Sequence, residues 1–434
     1  MLPDPVMSYR ITEVELTEPL PELRLARDQD GFGLIARLHD RLIGFVLHPA
    51  PPGSTLNPLE MQRLVDRHFA MAVLETTTKS MLAQRMRIQP DVAPPSLTIA
   101  ICTKDRAERL RRLLSSVDAV RSKSRFRSVE VVVVDNASVD DATRLVTATF
   151  ENVRYLVEHK TGLNFARDAA LHAATGDLLA FLDDDVVVDR GWLEGLFEVW
   201  SDCPEAGGYS GLVLPFRLDT PAQIEFELAG GFGRGFRRIH HEPSNLDNPL
   251  HPVGAGVVGA GCNMCFDRQL LLQLGGFDEA LDTGAPLPGG GDLDIFYRVL
   301  RSGRSIVYEP RYAVYHEHRE TLEQLRRQYW SWGLGFMAFI VKCRRTDREL
   351  AQRQAAMIRW WFVHHGLALA RSVRRRQWRR ERFVVAELHG GVQGLLGEYD
   401  RSIGRSRRIR EHVARRSGQK IGSRPIEADN GSAP

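Results

Sequence analysis

From Leu97 onward the chain alternates short, unbroken apolar runs with stretches whose apolar residues recur every three or four positions. Runs of the first kind suit strands buried on both faces, and the longer stretches suit amphipathic helices. The pattern predicts strands at 97–102, 129–134 and 153–157, with helices at 106–120 and 140–150 between them. Such alternation implies a parallel sheet covered by helices, which binds ligands beyond the carboxyl ends of its strands. The polar residues that follow the strands are therefore the ones to read: Thr103 and Asp105, Asp135 and Asn136, Glu158, and Asp183 to Asp185.

The flanks follow other patterns. Residues 1–55 alternate apolar and polar positions, with Leu34, Ala36 and Leu38 before Asp40 and then Ile43, Phe45 and Leu47, which predicts β-hairpins. Asn57-Pro58-Leu59-Glu60 combines an N-cap, a proline at the first helical position and a capping-box glutamate. Ahead of the stripe Leu64, Val65, Phe69 and Val73, it predicts one long helix. Pro90, Pro94 and Pro95 place a boundary near Ala93. After about residue 321 the chain becomes helical and aromatic, with Tyr329, Trp330, Trp332, Phe336 and Phe339, then basic from Arg371 to Arg382. The expected organisation is a β-hairpin and helix region at 1–92, a catalytic α/β domain at 93–320, a helical, Arg-rich extension at 321–420 and a disordered tail at 421–434.

Composition narrows the class. With 43% hydrophobic and 26% charged residues, the chain has a globular balance, neither fibrous nor disordered. No apolar leader core stands in residues 1–10, and no apolar run reaches the length of about 18 that a spanning helix needs. Five cysteines, an odd number, argue against a disulfide framework and for a reducing, cytoplasmic setting. Cys262 and Cys265 form one CxxC without a second ligand pair, so buried thiols are expected rather than zinc. The net charge of +3 is small and no reader motif accompanies it, so nucleic acid is not an expected partner.

Two acidic constellations carry the candidate chemistry. Phe181-Leu182-Asp183-Asp184-Asp185 ends an apolar run with three acids, a costly arrangement unless a cation neutralises them. Hard oxygen ligands at this density suit Mn²⁺ or Mg²⁺, which bridge carboxylates to diphosphate oxygens. The second runs from Gly275-Gly276-Phe277-Asp278 to Gly289-Gly290-Gly291-Asp292-Leu293-Asp294, opening a helix; there Asp292 could act as a cap and Asp294 could pair with Arg298.

Together with Thr98 to Arg106, Val132 to Ser138, Gly162 to Asp168 and His316 after a strand, these motifs resemble the family 2 glycosyltransferases over roughly residues 96–320. The resemblance implies a GT-A fold, a Rossmann-related mixed sheet flanked by helices, and an inverting transfer from a nucleotide diphosphate sugar, with UDP favoured. It assigns nucleotide-sugar binding to Thr103, Asp105, Arg106, Asp135, Asn136, Arg167, Asp183 and Asp184, and the metal to Asp185, Asp183 and His316. Asp292 takes the place of the base, with Asp294 as the second candidate. Gly291, where the family has glutamate, and Asp168, where asparagine is common, depart from the pattern. The acceptor would be a glycan or lipid-linked hydroxyl, as in polysaccharide biosynthesis.

Other signals compete. Gly254-Ala255-Gly256-Val257-Val258-Gly259 spells the dinucleotide fingerprint, but polar, proline-bearing sequence precedes it where a strand should be, so a loop near the acceptor is expected instead of a dehydrogenase site. A non-catalytic sugar or nucleotide-binding protein of the same fold is the other reading, and the intact acids oppose it. His316-Glu317-His318 lacks HExxH spacing, and its histidines are expected on opposite faces, with at most one reaching a metal. His240 and His241 are expected in a solvated loop. Gln328-Tyr329-Trp330-Ser331-Trp332 is close to the QxxRW signature of processive synthases with serine in the arginine position, and implies core packing or an acceptor platform. Arg374 to Arg380, preceded by Met357, Ile358, Trp360, Trp361 and Phe362, reads as a basic amphipathic helix able to hold the protein peripherally on the inner face of a membrane.

Overall fold

A computed structural model describes residues 8–86, 93–245, 247–284, 286–375 and 378–417. The N-terminal sheet comprises β1 (Tyr9–Glu15), β2 (Gly31–Leu38) and β3 (Arg41–Pro49). β2 and β3 form the expected hairpin, whose two-residue turn places His39 and Asp40 at φ 49° and 68°, the left-handed pair such turns require. β1, however, runs parallel to β2, so the segment is not a succession of hairpins. Asn57 and Glu60 exchange both bonds of a capping box at the start of α1 (Pro58–His68). The long helix expected there is interrupted at Phe69 before α2 (Ala70–Met86). Phe69 is buried over Gly44, where any Cβ would lie 2.3 Å from its ring, and this packing sets the break.

The main sheet has nine strands: β4 (Ser96–Thr103), β5 (Ser128–Asn136), β6 (Val153–Glu158), β7 (Leu178–Asp183), β8 (Val186–Val188), β9 (Gly208–Pro215), β10 (Ile239–His241), β11 (Asn263–Asp267) and β12 (Ile306–His316). Their order is β8-β12-β9-β11-β7-β4-β5-β6, with β10 on β12. β7, β4, β5 and β6 are mutually parallel, as the alternation predicts, whereas β11 is antiparallel to both β7 and β9. The sheet is therefore mixed. Along β4, Leu97, Ile99 and Ile101 enter one hydrophobic layer and Ala100 and Cys102 the other, which explains the unbroken apolar run. Helices α3 (Ala107–Arg121) and α4 (Leu163–Ala173) follow β4 and β6. The helix expected at 140–150 is shorter, Ala142–Thr147.

The N-terminal sheet docks on this core. Fully buried Arg37 pairs with Asp189, just after β8, and with Glu13 at 2.8 Å, while the Tyr9 amide donates to the Leu218 carbonyl at 2.7 Å. A buried guanidinium held by two carboxylates fixes β8, and with it the turn carrying Asp184 and Asp185. α5 (Pro221–Leu228) packs on the N-terminal sheet through Ile224, and the remaining helices are α6 (Gly291–Arg301), α7 (Leu322–Thr346), α8 (Ala351–Arg374), α9 (Trp378–Gln393) and α10 (Tyr399–Ser417). α7 and α9 meet backbone to backbone: a Cβ on Gly390 would stand 2.0 Å from the Trp330 carbonyl oxygen. That contact presses the start of α7 over the carboxyl ends of the strands.

The five cysteines are free and buried. Residues 421–434, expected to be disordered, lie outside the described residues, as do Arg376 and Gln377 of the arginine run. His240 and His241 are in edge strand β10 rather than a loop, and burial pushes the His241 imidazole down to about 4.

Candidate active site

Two adjoining cavities of about 490 Å³ each open at the carboxyl end of the parallel strands and share Leu163, Asp183, Asp185, Asp282, Pro288 and Arg319. Thr103, Lys104, Asp105, Arg106, Asn136 and Asp184 line the first. The second is lined by Arg167, Asp292 and His316, by the glycine loop at 256–261, and by Gln328, Ser331 and Trp332 of α7.

The three acids after β7 have separate partners. Asp184 is buried and accepts from the Thr103 hydroxyl at 2.7 Å and from Arg106 Nη1 at 2.9 Å, so it braces the strand ends. Asp183 faces Arg167 Nη2 at 3.5 Å; burial, reinforced by Asp185, Asp184 and Asp292, still pushes its carboxyl up to about 6. Asp185 is buried too, yet its Oδ1 has no hydrogen-bond partner. His316 Nε2 lies 3.4 Å from that oxygen, and Arg106 and Arg319 approach Oδ2 at 3.8 and 3.9 Å.

His316 does not stand alone. Its Nδ1 is 2.9 Å from His318 Nδ1, and His318 Nε2 is 2.7 Å from Glu227 Oε1 at the end of α5. The expectation that the two histidines face apart is overturned, because side chains on an extended chain repeat every second residue and positions 316 and 318 share a side. Burial holds the His316 imidazole well below its usual range, with His318, Arg319 and Arg109 adding to the effect.

Among the described residues, no three His, Cys, Asp or Glu side chains form a group that could hold a metal. The expected set Asp183, Asp185 and His316 is therefore not assembled as a three-residue nest, since Asp183 is turned to Arg167. Asp185 and His316 remain as a facing pair.

Asp292 and Asp294 part company. Asp292 Oδ2 accepts from the Gly261 amide at 3.2 Å and its side chain lines the second cavity. Asp294 is buried in ion pairs with Lys342 at 2.6 Å and Arg298 at 2.8 Å. Two cations hold Asp294 in the interface between α6 and α7, and it lines neither cavity.

Other expected binding residues act partly by holding loops. Asp135 accepts from the Tyr155 hydroxyl at 2.6 Å and the Ser138 amide at 3.2 Å, behind the first cavity. Asn136 donates to the Lys160 carbonyl at 2.7 Å and accepts from the Gly162 amide at 2.9 Å. Asp105 accepts from the Val139 amide at 2.8 Å, with its own backbone at φ 55°. Arg167 is buried against Asp183 and, at 3.4 Å, Asp282. Asp168 accepts from the Phe277 amide at 2.7 Å.

Asp282 was not legible as a site residue. It accepts from the Gly291 amide at 3.1 Å, and burial pushes its carboxyl up to about 7. It also bears on Gly291: a Cβ there would stand 2.3 Å from Asp282 Oδ2 and 2.4 Å from Asn164 Nδ2, so a larger residue would have to displace both side chains. Asp282-Thr283-Gly284 before the glycine-rich loop was the available signal, as was the position of Arg319 beside His318. The loop at 254–259 contains only a short turn of helix, Ala255–Val257, with no strand leading into it, which removes the dinucleotide reading; it leads into β11 along the second cavity. The aromatic cluster of α7 divides: Trp330 donates to Gln393 at 2.7 Å in the helix packing, and Trp332 faces the cavity.

Two family models match over overlapping stretches, Glycosyl transferase family 2 over residues 98–215 and Glycosyl transferase family group 2 over residues 178–380. The chain belongs to the family 2 glycosyltransferases. It is 27% identical over 294 residues to the pre-mycofactocin glycosyltransferase of Mycobacterium tuberculosis, covering 64% of this chain and 56% of that protein. It is 28% identical over 313 residues to the succinoglycan biosynthesis protein ExoM of Rhizobium meliloti, covering 69% of this chain and 93% of that one. A partial overlay relates it to the mannosyltransferase PcManGT from Pyrobaculum calidifontis in complex with GDP-Man and Mn2+, at TM-score 0.44 and 19% identity over 73% of this chain and 94% of that one.

Proposed function

We propose that this protein transfers a sugar from a nucleotide diphosphate sugar to an acceptor hydroxyl in one inverting displacement, with Asp292 as the base and a divalent cation held by Asp185 and His316. The observation that carries the reading is the facing pair itself: a buried carboxylate oxygen without a partner opposite an imidazole nitrogen, in the cavity that Asp292 enters.

The hydrogen-bond chain supports that fit. If His318 Nε2 donates to Glu227, His318 Nδ1 is left as an acceptor, and His316 Nδ1 must carry the proton between the two rings. His316 Nε2 then presents a lone pair toward the unpartnered oxygen of Asp185. Two such donors repel each other unless a cation stands between them, and an oxygen with an imidazole nitrogen suits Mn²⁺ or Mg²⁺. When bound, the ion would supply charge stabilisation for the departing nucleoside diphosphate.

The residues of the chain do the rest. Thr103, Asp105 and Asn136 line the side suited to the nucleotide, and Arg106 and Arg319 offer positive charge beside Asp185. Asp292, partly exposed and without an ion pair among the described residues, is free to take the proton of an acceptor hydroxyl entering past Trp332. The names of the mycobacterial and rhizobial relatives, a pre-mycofactocin glycosyltransferase and a succinoglycan biosynthesis protein, agree with this reading.

The test is a thermal-shift panel of UDP, GDP and dTDP with and without Mn²⁺. One nucleotide should stabilise the protein in a metal-dependent way, and Asp185→Asn should abolish the metal-dependent part. Glu227→Leu should weaken Mn²⁺ binding, followed by paramagnetic resonance, by about 10–100-fold. A panel without any nucleotide response in Mn²⁺ refutes the reading.

A further inference from the structure

We infer that the outer faces of α8 and α9 dock this protein onto a bilayer surface carrying anionic headgroups. α8 carries Arg353, Arg359, Arg371 and Arg374 and not one acid in 24 residues. Its inner side is fully used: Gln354, Met357, Trp361 and Ser372 are buried. This corrects the expected amphipathic face, because Met357 and Trp361 belong to the core and not to the surface. The outer side is apolar all the same. Trp360, Val363 and Leu367 are 48%, 55% and 52% exposed, and with Ala370 and Arg374 they follow the spacing of three and four that makes one helical stripe. Arg359 and Arg371 flank it.

α9 repeats the arrangement. Arg382, Val385, His389 and Val392 are exposed at the same spacing, while Phe383, Ala386 and Gly390 pack inward, and no acid is exposed on either helix among the described residues. A soluble helix without a partner normally turns charges of both signs to water. Here the outward pattern is apolar and positive, the pattern of a helix that lies in the headgroup region with tryptophan at the boundary.

Charge decides between occupants. A second copy meeting this face through a two-fold axis would set arginines against arginines, whereas anionic headgroups would neutralise them. No described helix is long and apolar enough to cross the bilayer, so the contact inferred is with its surface. The consequence for the reaction rests on the proposed glycosyl transfer. Trp361 of α8 and Glu387 of α9 line the second cavity from behind this face, so an acceptor anchored in the membrane would reach Asp292 without leaving the surface.

Co-sedimentation of the full chain with vesicles tests the inference, using phosphatidylcholine alone and with about one-third phosphatidylglycerol. Binding to the anionic vesicles should be at least about tenfold tighter and should weaken with salt. The double substitution Val363→Asp and Leu367→Asp, at exposed positions, should abolish it while leaving the circular dichroism and the nucleotide thermal shift unchanged. Arg371→Gln with Arg374→Gln should reduce it. Failure to bind either vesicle, or equal binding by the double variant, overturns the inference. So does a wild-type dimer that the double variant dissociates, which would assign the face to a second copy. The nucleotide response is read without vesicles, so loss of the docking and loss of the transferase reading are separable.

Discussion

Asp183, Asp184 and Asp185 leave a strand and enter a turn, whereas Asp292 and Asp294 stand in the first turn of a helix, and the two backbones distribute their carboxylates differently. In the turn all three acids stay at the cleft and differ only in partner: Arg167, then Thr103 with Arg106, then none for Asp185 Oδ1. In the helix, two residues mean a rotation of about 200°, so Asp292 and Asp294 must point nearly opposite ways. One enters the cavity and the other enters the core. A pair of acids two apart is thus a site only where the backbone keeps both on one side.

The sharpest way to break this comparison is to exchange the fates of the helical pair. Asp292→Asn should lower the transfer rate by about 10²–10⁴-fold with nucleotide binding intact, and Asp294→Asn should keep near-normal turnover per folded molecule. Initial rates on active-site-titrated protein decide it, and the reverse result would return Asp294 to the chemistry.

Stability should show the opposite ranking. Asp294→Ala leaves Lys342 and Arg298 without their shared carboxylate, and removing one partner of a buried ion pair costs about 3–5 kcal/mol. Lys342 keeps Asp278 at 3.0 Å as its other partner, so urea unfolding of Asp294→Ala should show a loss toward the lower end of that range. Asp292→Ala, at a partly exposed position without an ion pair among the described residues, should cost far less. Equal losses at the two positions would mean that Asp292 carries structure as well.

The smallest expected effect concerns pH. Asp282 has a folded value of about 7 against an ordinary 3.8, so the folded state holds its proton over a range where the unfolded chain has released it. Its contribution to stability is fully present below about 3.8 and is lost as pH rises toward about 7. The melting temperature of Asp282→Asn relative to wild type should therefore climb across that window and level off above it. A flat difference would mean that burial, with Asp292 and Asp183, does not hold the Asp282 carboxyl up.

Much of the architecture was legible because it depends on local periodicity. The runs in β4, β5 and β7 are continuous since both faces of those strands are buried, and the capping box of α1 is a contact three residues long. What escaped was non-local. The parallel pairing of β1, the insertion of β11 antiparallel between β7 and β9, and the break at Phe69 are each set by a partner elsewhere in the chain. The same holds in the site, where His318 meets Glu227 across 91 residues and Asp282 meets Arg167 across 115.

By itself the sequence determined which acids end the strand and open the helix, because adjacent residues cannot be separated and an apolar run declares its burial. It also determined that a chain with these motifs is a family 2 glycosyltransferase. Only the tertiary structure decided that Asp294 is neutralised by Lys342, that Gly291 yields its space to Asp282, and that His316 is oriented by His318 and Glu227. Each of those outcomes depends on a charge or a van der Waals contact brought in from a distant segment, and the reach of such forces is measured through space, not along the chain.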